Sequence, residues 1–376
     1  MTKLRTLLGT TALVGAGLLV AAPAPVSAAT VSPGGALDLT LTGFARFRAH
    51  GGDLDNARLD RTIGGGLDFS NDTEVHVVAR GRHDATGIEY GGTIEFEADT
   101  NSSLNTDETW LFVRGGFGEF RFGDEDGPVD NSWVGGNTVA AGTGGIDGSI
   151  VDTVATGLAK PLNSGDATKV RYYTPTFGGF SAGVSYTPQV GSDGQDLATK
   201  ASNAGGGLIG PNPRKQNDMV EGALVYTGAF GGVNILASLV GGMCDYANAP
   251  GENDDCETWG GGANIGLWGF KLGGGYWTQK LGDQEKDVVQ AGVGAGLGPV
   301  NLSVTYGKVI DSDNLVTNGV AVGEPQNLVF SADVGLMPGL VLAGDVGWFD
   351  NDADSALPGS LDDDGYQAVA RLGLAF

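Results

Sequence analysis

Apolar residues recur at every second position in segments along this chain, and the last segment shows the pattern most clearly. In residues 366–376 every even position is apolar, whereas the odd positions include Gln367 and Arg371. A two-residue period is typical of a β-strand with one face toward an apolar phase and the other toward water. Chain ends usually fray unless they are tied down. A final strand that ends in the aromatic residue Phe376 therefore indicates a strand paired at the closing seam of a sheet.

The first 28 residues have the composition of a secretory signal peptide. Lys3 and Arg5 form a short basic region, residues 7–22 are mostly apolar, and residues 26–28 match the small-residue pattern of a cleavage site. A membrane anchor is the alternative, but the apolar run is too short and too rich in Gly and Thr. We therefore expect cleavage after Ala28 and a single domain over residues 29–376.

The composition of the chain favours strands over helices. Glycine accounts for 67 of the 376 residues, and each glycine inside a helix costs about 1 kcal/mol relative to alanine. No later segment has the roughly 18 consecutive apolar residues of a spanning helix, so the mature chain is either soluble or a barrel. The net charge of −24 argues against nucleic acid as a partner and favours the attraction of cations.

The connections between the alternating segments switch regularly between short and long. Seven short connections lie at residues 82–87, 115–118, 177–180, 229–232, 267–270, 296–299 and 337–339. Eight long connections lie at residues 50–71, 99–107, 124–167, 188–217, 244–256, 280–286, 310–325 and 350–364. Short turns at one end and long loops at the other are typical of a transmembrane barrel, and a soluble sandwich has no reason to sort its loops this way. The pattern predicts an all-β, sixteen-stranded antiparallel transmembrane β-barrel.

Three segments resemble a known family. Residues 107–123 (DETWLFVRGGFGEFRFG) and 170–186 (VRYYTPTFGGFSAGVSY) resemble the hairpins that flank the constriction loop of general Gram-negative outer-membrane porins. Residues 69–76 (FSNDTEVH) resemble the second strand of the alphaproteobacterial type. The resemblance implies a water-filled channel for passive diffusion of small hydrophilic solutes and ions. It also implies a homotrimer in an outer membrane, with lipid and lipopolysaccharide as neighbours and no cofactor. The alternatives are a solute-specific channel and, less favoured, a β-rich surface adhesin.

In that family the longest loop folds into the barrel and narrows it, so that basic wall residues face loop carboxylates across the opening and select solutes by charge. The candidates for the basic wall are Arg46, Arg48, Arg80, Arg82, Arg114 and Arg121. The candidates in the acidic loop are Asp124, Glu125, Asp126, Asp130, Asp147 and Asp152. The alternative is that these arginines only pair with the lumenal residues Glu74, Glu89, Glu95 and Glu97. The resemblance also implies that Phe376 is the signal read during barrel assembly.

The two cysteines, Cys244 and Cys256, predict a disulfide that closes the fifth external loop, because an exported chain meets an oxidising compartment. A zinc site is the alternative, but the three histidines all precede residue 84.

The acidic run at Asp350, Asp352 and Asp354 imitates the start of a calcium-binding EF-hand loop. Ser355 and Leu361 stand where that loop needs Gly and Glu, so the sequence predicts at most a weak divalent site, for instance for calcium. The alternative is a solvated acidic loop that meets lipopolysaccharide through bridging divalent ions.

Residues 179–183 fit the G-x-S-x-G pattern of a serine hydrolase. That chemistry needs a turn between a strand and a helix, whereas strand-like residues lie on both sides of this segment. We therefore expect an ordinary turn here and no enzymatic activity.

Overall fold

The computed structural model describes residues 29–31, 37–54, 66–99, 106–152, 157–190, 215–247, 254–314, 316–317, 320–321, 323–350 and 364–376. Within these ranges no helix is both long and apolar enough to cross a membrane.

Strands account for most of the described chain. A short strand β1 (Ala29–Val31) precedes thirteen barrel strands: β2 (Leu37–Leu54), β3 (Leu67–His83), β4 (Ile88–Glu97), β5 (Thr106–Gly115), β6 (Gly118–Asp124), β7 (Thr168–Tyr173), β8 (Phe180–Gln189), β9 (Lys215–Phe230), β10 (Val233–Ala247), β11 (Asp254–Leu267), β12 (Phe270–Leu281), β13 (Gln284–Leu297) and β14 (Val300–Asp313). A small hairpin, β15 (Val316–Thr317) and β16 (Val320–Ala321), lies before the last three barrel strands: β17 (Gln326–Met337), β18 (Leu340–Asp350) and β19 (Asp364–Ala375).

The barrel strands pair antiparallel in chain order, and β19 returns to pair with β2. The predicted sixteen-stranded antiparallel barrel is therefore confirmed. Phe376 extends the seam by one residue, because its N–H donates to Gly43 O at 3.0 Å and its carbonyl accepts from Gly43 N at 2.9 Å. Beyond that point β1 continues the ladder on β2, with Val31 opposite Leu39.

The strands separate apolar and polar side chains as their alternation predicts. In β19 the outward-pointing residues Tyr366 and Leu372 are exposed, as is Phe376 just after this strand, whereas Gln367 and Val369 on the inner face are buried. An apolar outer band with a polar interior is the pattern of a barrel that sits in lipid.

The connections agree with the sequence at one end of the barrel and differ at the other. All seven short connections are present as tight turns or hairpins. The long connection predicted at 280–286 is instead a two-residue turn, residues 282–283. Lys280 and Glu285 continue the ladder as cross-strand partners and form an ion pair at 3.1 Å, and Gly282 supplies the positive φ of 60° that the turn requires. Polar residues at the end of a barrel strand resemble loop residues in the sequence, although here they extend the hairpin.

Cys244 and Cys256 form the predicted disulfide, but the strands on either side extend further than the sequence indicated. The two residues are direct cross-strand partners on β10 and β11, with their Cα atoms 5.0 Å apart. The connection between these strands is only residues 248–253. The disulfide lies on the inner face, buried against Met219 and Tyr246, and it joins the two strands a few residues before the connection between them.

Deleting Phe376 should reduce assembly without altering conduction. The deletion removes both backbone hydrogen bonds to Gly43 at the seam, whereas the side chain faces away from the lumen. We expect less heat-modifiable folded protein in outer membranes and normal single-channel conductance for the molecules that fold. Phe376→Tyr, which keeps the ring and the backbone bonds, is the matched control. Normal assembly together with altered conductance would show that the even-numbered side chains of β19 face the lumen and not the lipid.

Candidate functional site

The segment between β6 and β7, which the structure describes at residues 125–152 and 157–167, folds into the barrel and lies along the inner wall. It begins with a short helix, α1 (Pro128–Ser132), which packs against β8, β9 and β10. Three short 3₁₀ helices follow and contact the wall from β12 to β19: Asn137–Val139, Gly145–Asp147 and Ser149–Asp152. We call residues 125–167 the inner loop. It lines the wall opposite β2–β7.

Wall side chains accept hydrogen bonds from the backbone of the inner loop. Ser238 Oγ accepts from Val134 N at 3.0 Å, and Ser303 Oγ accepts from Ala141 N at 2.7 Å. Further along, Asp345 Oδ1 accepts from Thr143 N at 3.1 Å. An unpaired buried N–H costs about 1–3 kcal/mol, so these wall groups hold the loop backbone in place.

Glycines on the wall allow the inner loop to lie flat. A Cβ atom on Gly262 would lie 2.0 Å from the carbonyl oxygen of Val134, and one on Gly292 would lie 2.2 Å from that of Gly136. Real Cβ atoms do not approach backbone this closely. Part of the high glycine content of the chain is therefore explained by close contact between two backbones.

The inner loop also carries its own apolar residues into the barrel. Val129 and Trp133 pack in one buried cluster with Trp277 of the wall, and Ile146 packs with Phe349 in a second cluster. Fully burying such a side chain stabilises by about 1.5–3 kcal/mol. Two apolar clusters and a series of hydrogen bonds thus fix the loop to the wall.

At the start of the inner loop, Glu125 joins the loop to two wall arginines. Its carboxylate is 3.0 Å from Arg121 Nη1 and 2.7 Å from Arg171 Nη2. Burial raises the pKa of Glu125, while Arg171 and Arg121 oppose that rise. The Lys169 ammonium donates to the Glu125 carbonyl oxygen. Glu125 is almost fully buried, so it anchors the loop rather than facing the opening.

The other acidic residues of the loop region also have partners close by. Asp124, at the end of β6, accepts from Thr168 Oγ1 at 2.5 Å. Asp130 forms an ion pair with Lys160 at 2.8 Å. Burial disfavours the Lys160 ammonium, but Asp130 and Asp147 outweigh this effect and raise its pKa. Each of these carboxylates thus has a contact within the loop or with the adjoining strand.

Two aspartates of the loop, the half-buried Asp126 and the exposed Asp147, have pKa values that the surrounding protein raises. Burial, and then the neighbouring charges of Asp130 and Asp166, raise the pKa of Asp126 to about 7. Desolvation by the surrounding protein also raises the pKa of Asp147, although Lys160 and a hydrogen bond from Asn137 oppose the rise. The side chain of Asp152 lies outside the described residues.

Arginines and glutamates lie next to one another on the neighbouring strands β3–β6. Arg82, Glu89, Arg114 and Glu119 are successive cross-strand partners, so their charges alternate. Arg114 lies 2.7 Å from Glu89 and 3.5 Å from Glu119, whereas Arg82 is mostly exposed near a turn. For Arg82 and Arg114 the structure thus gives pairing with a lumenal glutamate, the alternative raised by the sequence.

Arg80 differs from its neighbours because it forms no ion pair among the residues that the structure describes. Its Nε is buried and has no hydrogen-bond partner. The charges of Arg114 and Glu89 act on it from nearby, but Glu89 already pairs with Arg114. Among the six predicted wall arginines, Arg80 is therefore the one that forms no ion pair with a described residue.

On β2, Arg46 and Arg48 share one carboxylate, Asp72 of β3, and the Arg46 contact measures 2.9 Å. Arg371 of β19 is the cross-strand partner of Arg48 and donates to Gly142 O of the inner loop at 3.2 Å. Arg171 and Arg371 were not among the predicted site residues. Both occupy the alternate strand positions that carry polar side chains, and this alternation is the signal that could have identified them.

Two further sequence motifs are placed by the structure. Asp350 is the last residue of β18 and accepts from Gln326 Nε2 at 3.0 Å, while Asp352 and Asp354 lie outside the described residues. Ser181 follows a tight hairpin turn at residues 178–179 and lies in β8. The G-x-S-x-G match is therefore a strand turn, as predicted, and not a nucleophile elbow.

Comparison with known proteins gives a consistent picture. The sequence matches the model of the Gram-negative porin family over residues 9–354. The major outer membrane protein P.IB of Neisseria gonorrhoeae is 31% identical over 110 residues, which are 29% of this chain and 29% of that protein.

Solved structures share the fold at low identity. The anion-selective porin from Comamonas acidovorans superposes with a TM-score of 0.61 at 18% identity, covering 90% of this chain and 100% of that one. The trimer form of OmpT from Vibrio cholerae gives a TM-score of 0.56 at 12% identity, covering 90% and 99%.

Replacing Gly292 with Val should displace the inner loop and raise single-channel conductance. The new side chain would clash with Gly136 O and with Val139, while the ladder of β13 stays intact. Gly274→Val is the matched control, because the closest atom to a Cβ there is Gln290 O at 3.6 Å. If both variants conduct like wild type, the loop does not lie against this wall.

Acidification should stabilise the start of the inner loop. An acid whose pKa is raised on folding costs stability once ionised. For Asp126 this cost is absent below pH 3.8, which is the ordinary pKa of an aspartate, and it is complete above about pH 7, the raised pKa in the folded protein. Amide exchange of residues 125–135, corrected for intrinsic rates, should therefore be slower at about pH 5 than at about pH 8.

Asp126→Asn should show the slow exchange at both pH values. Asp283→Asn, in an exposed turn, should behave like wild type. Faster corrected exchange of the wild-type loop at the lower pH would contradict the account.

Proposed function

Because the chain belongs to the Gram-negative porin family, we propose that it is an outer-membrane porin, a water-filled channel for passive diffusion of small hydrophilic solutes and ions. The observation that carries the proposal is the closed sixteen-stranded barrel with an apolar outer face and a charged inner wall. A barrel of this size leaves room for an aqueous channel. Liposomes containing the protein should admit small sugars at rates that fall with solute size. Liposomes that stay impermeable to sugars and ions would contradict the proposal and favour a surface adhesin.

The solute path runs between the basic wall and the inner loop. Arg46, Arg48 and Arg80 are the wall residues proposed to face it, and Arg371 is added from β19. Arg121 is buried in its ion pairs with Glu119 and Glu125 and is proposed to support the wall behind them. Arg82 and Arg114 lie nearer the periplasmic turns and form part of the lower vestibule. Fixed charges of this kind orient polar solutes and oppose the passage of apolar ones.

The acidic side of the constriction is proposed to be more restricted than the sequence suggested. Asp130 and Asp147 remain candidates, because Asp130 is only half-buried in its ion pair with Lys160 and Asp147 is exposed. Glu125 holds the loop in place through Arg121 and Arg171. Asp124, Asp126 and Asp152 stay proposals for the same region.

A solute-specific channel for organic anions is the second candidate. Arg80 favours it, because its half-buried guanidinium forms no ion pair with a described residue, and guanidinium groups bind carboxylates and phosphates. The two functions differ in concentration dependence: flux through a specific channel saturates, whereas flux through a general porin rises in proportion to the gradient.

Assembly and export are proposed on separate grounds. The trimeric OmpT structure supports a homotrimer, and the small-residue pattern of residues 26–28 supports cleavage after Ala28. Residues 69–76 support the alphaproteobacterial type. A weak divalent-cation site at Asp350, Asp352 and Asp354 completes the proposal, and the alternative is an acidic loop that divalent ions bridge to lipopolysaccharide. The intact mass of protein extracted from outer membranes should correspond to residues 29–376.

Replacing Arg80 with Gln should shift the reversal potential in a KCl gradient toward cation preference. The change removes a lumenal positive charge and leaves no ion-pair partner behind. Lys280→Gln is the matched control, since it removes the same charge at the exposed rim. Equal shifts in both variants, or none in Arg80→Gln, would place the ion path away from this wall.

A further inference from the structure

Strands β3 and β4 bring an imidazole and two carboxylates to one place on the inner wall. Glu74 and His76 are two residues apart on β3 and so share a face, and Glu95 is the direct cross-strand partner of His76 on β4. His76 Nε2 lies 2.9 Å from Glu74 Oε2 and 3.4 Å from Glu95 Oε2. One donor atom of each residue lies within 4.8 Å of the other two.

The three side chains are held firmly yet can be reached from the lumen. Their side-chain exposures are 15% for Glu74, 18% for His76 and 9% for Glu95. Their backbones lie within the continuous ladder between β3 and β4. A preformed set of donors on rigid strands loses little conformational entropy when it binds an ion.

The acidic surroundings would strengthen the attraction for a cation. Glu97 is the cross-strand partner of Glu74, and Glu74, Glu97 and Asp107 form a second group of converging donor atoms. Glu74 belongs to both groups, so an ion bound at His76 would have further carboxylates next to it.

The approach of two carboxylates to the same nitrogen of His76 favours a bound cation. A neutral imidazole can donate from Nε2 to one carboxylate at most, yet two carboxylates approach this nitrogen. A divalent cation would satisfy both carboxylates and the nitrogen lone pair at once. Zinc typically binds through one imidazole nitrogen and carboxylate oxygens at about 2.0–2.2 Å, which small side-chain movements could reach.

We propose that Glu74, His76 and Glu95 form a lumenal binding site for a zinc-class divalent cation, with water completing the coordination. The imidazole selects first-row transition metals over calcium, which prefers oxygen ligands throughout. This site is independent of the constriction residues.

A bound ion would change conduction as well as occupy a site. His76 lies four residues from Arg80 on β3, roughly 13 Å along the strand. Two added positive charges in an acidic part of the lumen would reduce the attraction for cations. Zinc at micromolar concentration should therefore shift the reversal potential toward anions.

Binding is tested by isothermal titration of the folded, detergent-solubilised protein with Zn²⁺ and with Ca²⁺, after treatment with a chelator. We expect one zinc per chain at micromolar affinity and much weaker calcium binding. His76→Gln should weaken zinc binding by more than about tenfold, since even the loss of an outer-shell partner costs that much. His50→Gln is the matched control, because His50 also faces the lumen but its Nε2 lies 2.9 Å from Ser70 Oγ.

Zinc affinity that is unchanged in His76→Gln, or equal affinity for Zn²⁺ and Ca²⁺, would overturn the proposal. Heat-modifiable migration on gels shows which variants are folded. Glu95→Gln should also weaken zinc binding, and if this variant fails to fold, His76→Gln decides the question alone. As a second measurement, zinc should shift the reversal potential of wild type and of His50→Gln but not of His76→Gln. An equal shift in His76→Gln would assign the effect to the acidic surface in general and would also overturn the proposal.

Discussion

The requirement that every backbone polar group in hydrocarbon be satisfied within the protein controls this structure. A sheet in lipid can meet it only by closing on itself, because an open edge would leave a row of unpaired N–H and C=O groups. Closure occurs where β19 meets β2. Phe376 and β1 extend the pairing on β2 toward the periplasmic rim. The parity of both seam strands then decides which side chains face lipid and which face the lumen.

The inner loop forms a second layer inside the barrel. The wall residues that it contacts provide space for its backbone and hydrogen-bond acceptors for its N–H groups. Where it lies against β11–β13, the wall supplies glycines that admit its backbone. At Ser238 and Ser303 the wall supplies hydroxyls that satisfy its N–H groups. The opposite wall, β2–β7, carries arginines instead. The asymmetry of the lumen therefore follows from two different wall compositions rather than from the loop alone.

The sequence predicts the barrel well and the site less well. Strand number, closure and the seven tight turns follow from a two-residue period and from glycine-rich turns, which are local signals. The turn at residues 282–283 was missed because Lys280 and Glu285 look like loop residues, although they pair across the ladder. Parity placed the arginines on the inner wall. It could not show that Glu125 would be buried between Arg121 and Arg171, because a loop has no fixed periodicity and its path depends on tertiary contacts.

The central claim is that β19 closes on β2 in the stated register, and a cross-link across the seam tests it most directly. Ala49 and Ala370 are cross-strand partners, at a separation that a disulfide can span. In the folded Ala49→Cys/Ala370→Cys variant, oxidation should give an intramolecular disulfide with conduction retained. The offset pair Ala49→Cys/Ala368→Cys should stay unlinked. Failure of the first pair to link, or equal linking of both pairs, would contradict the closed barrel in this register.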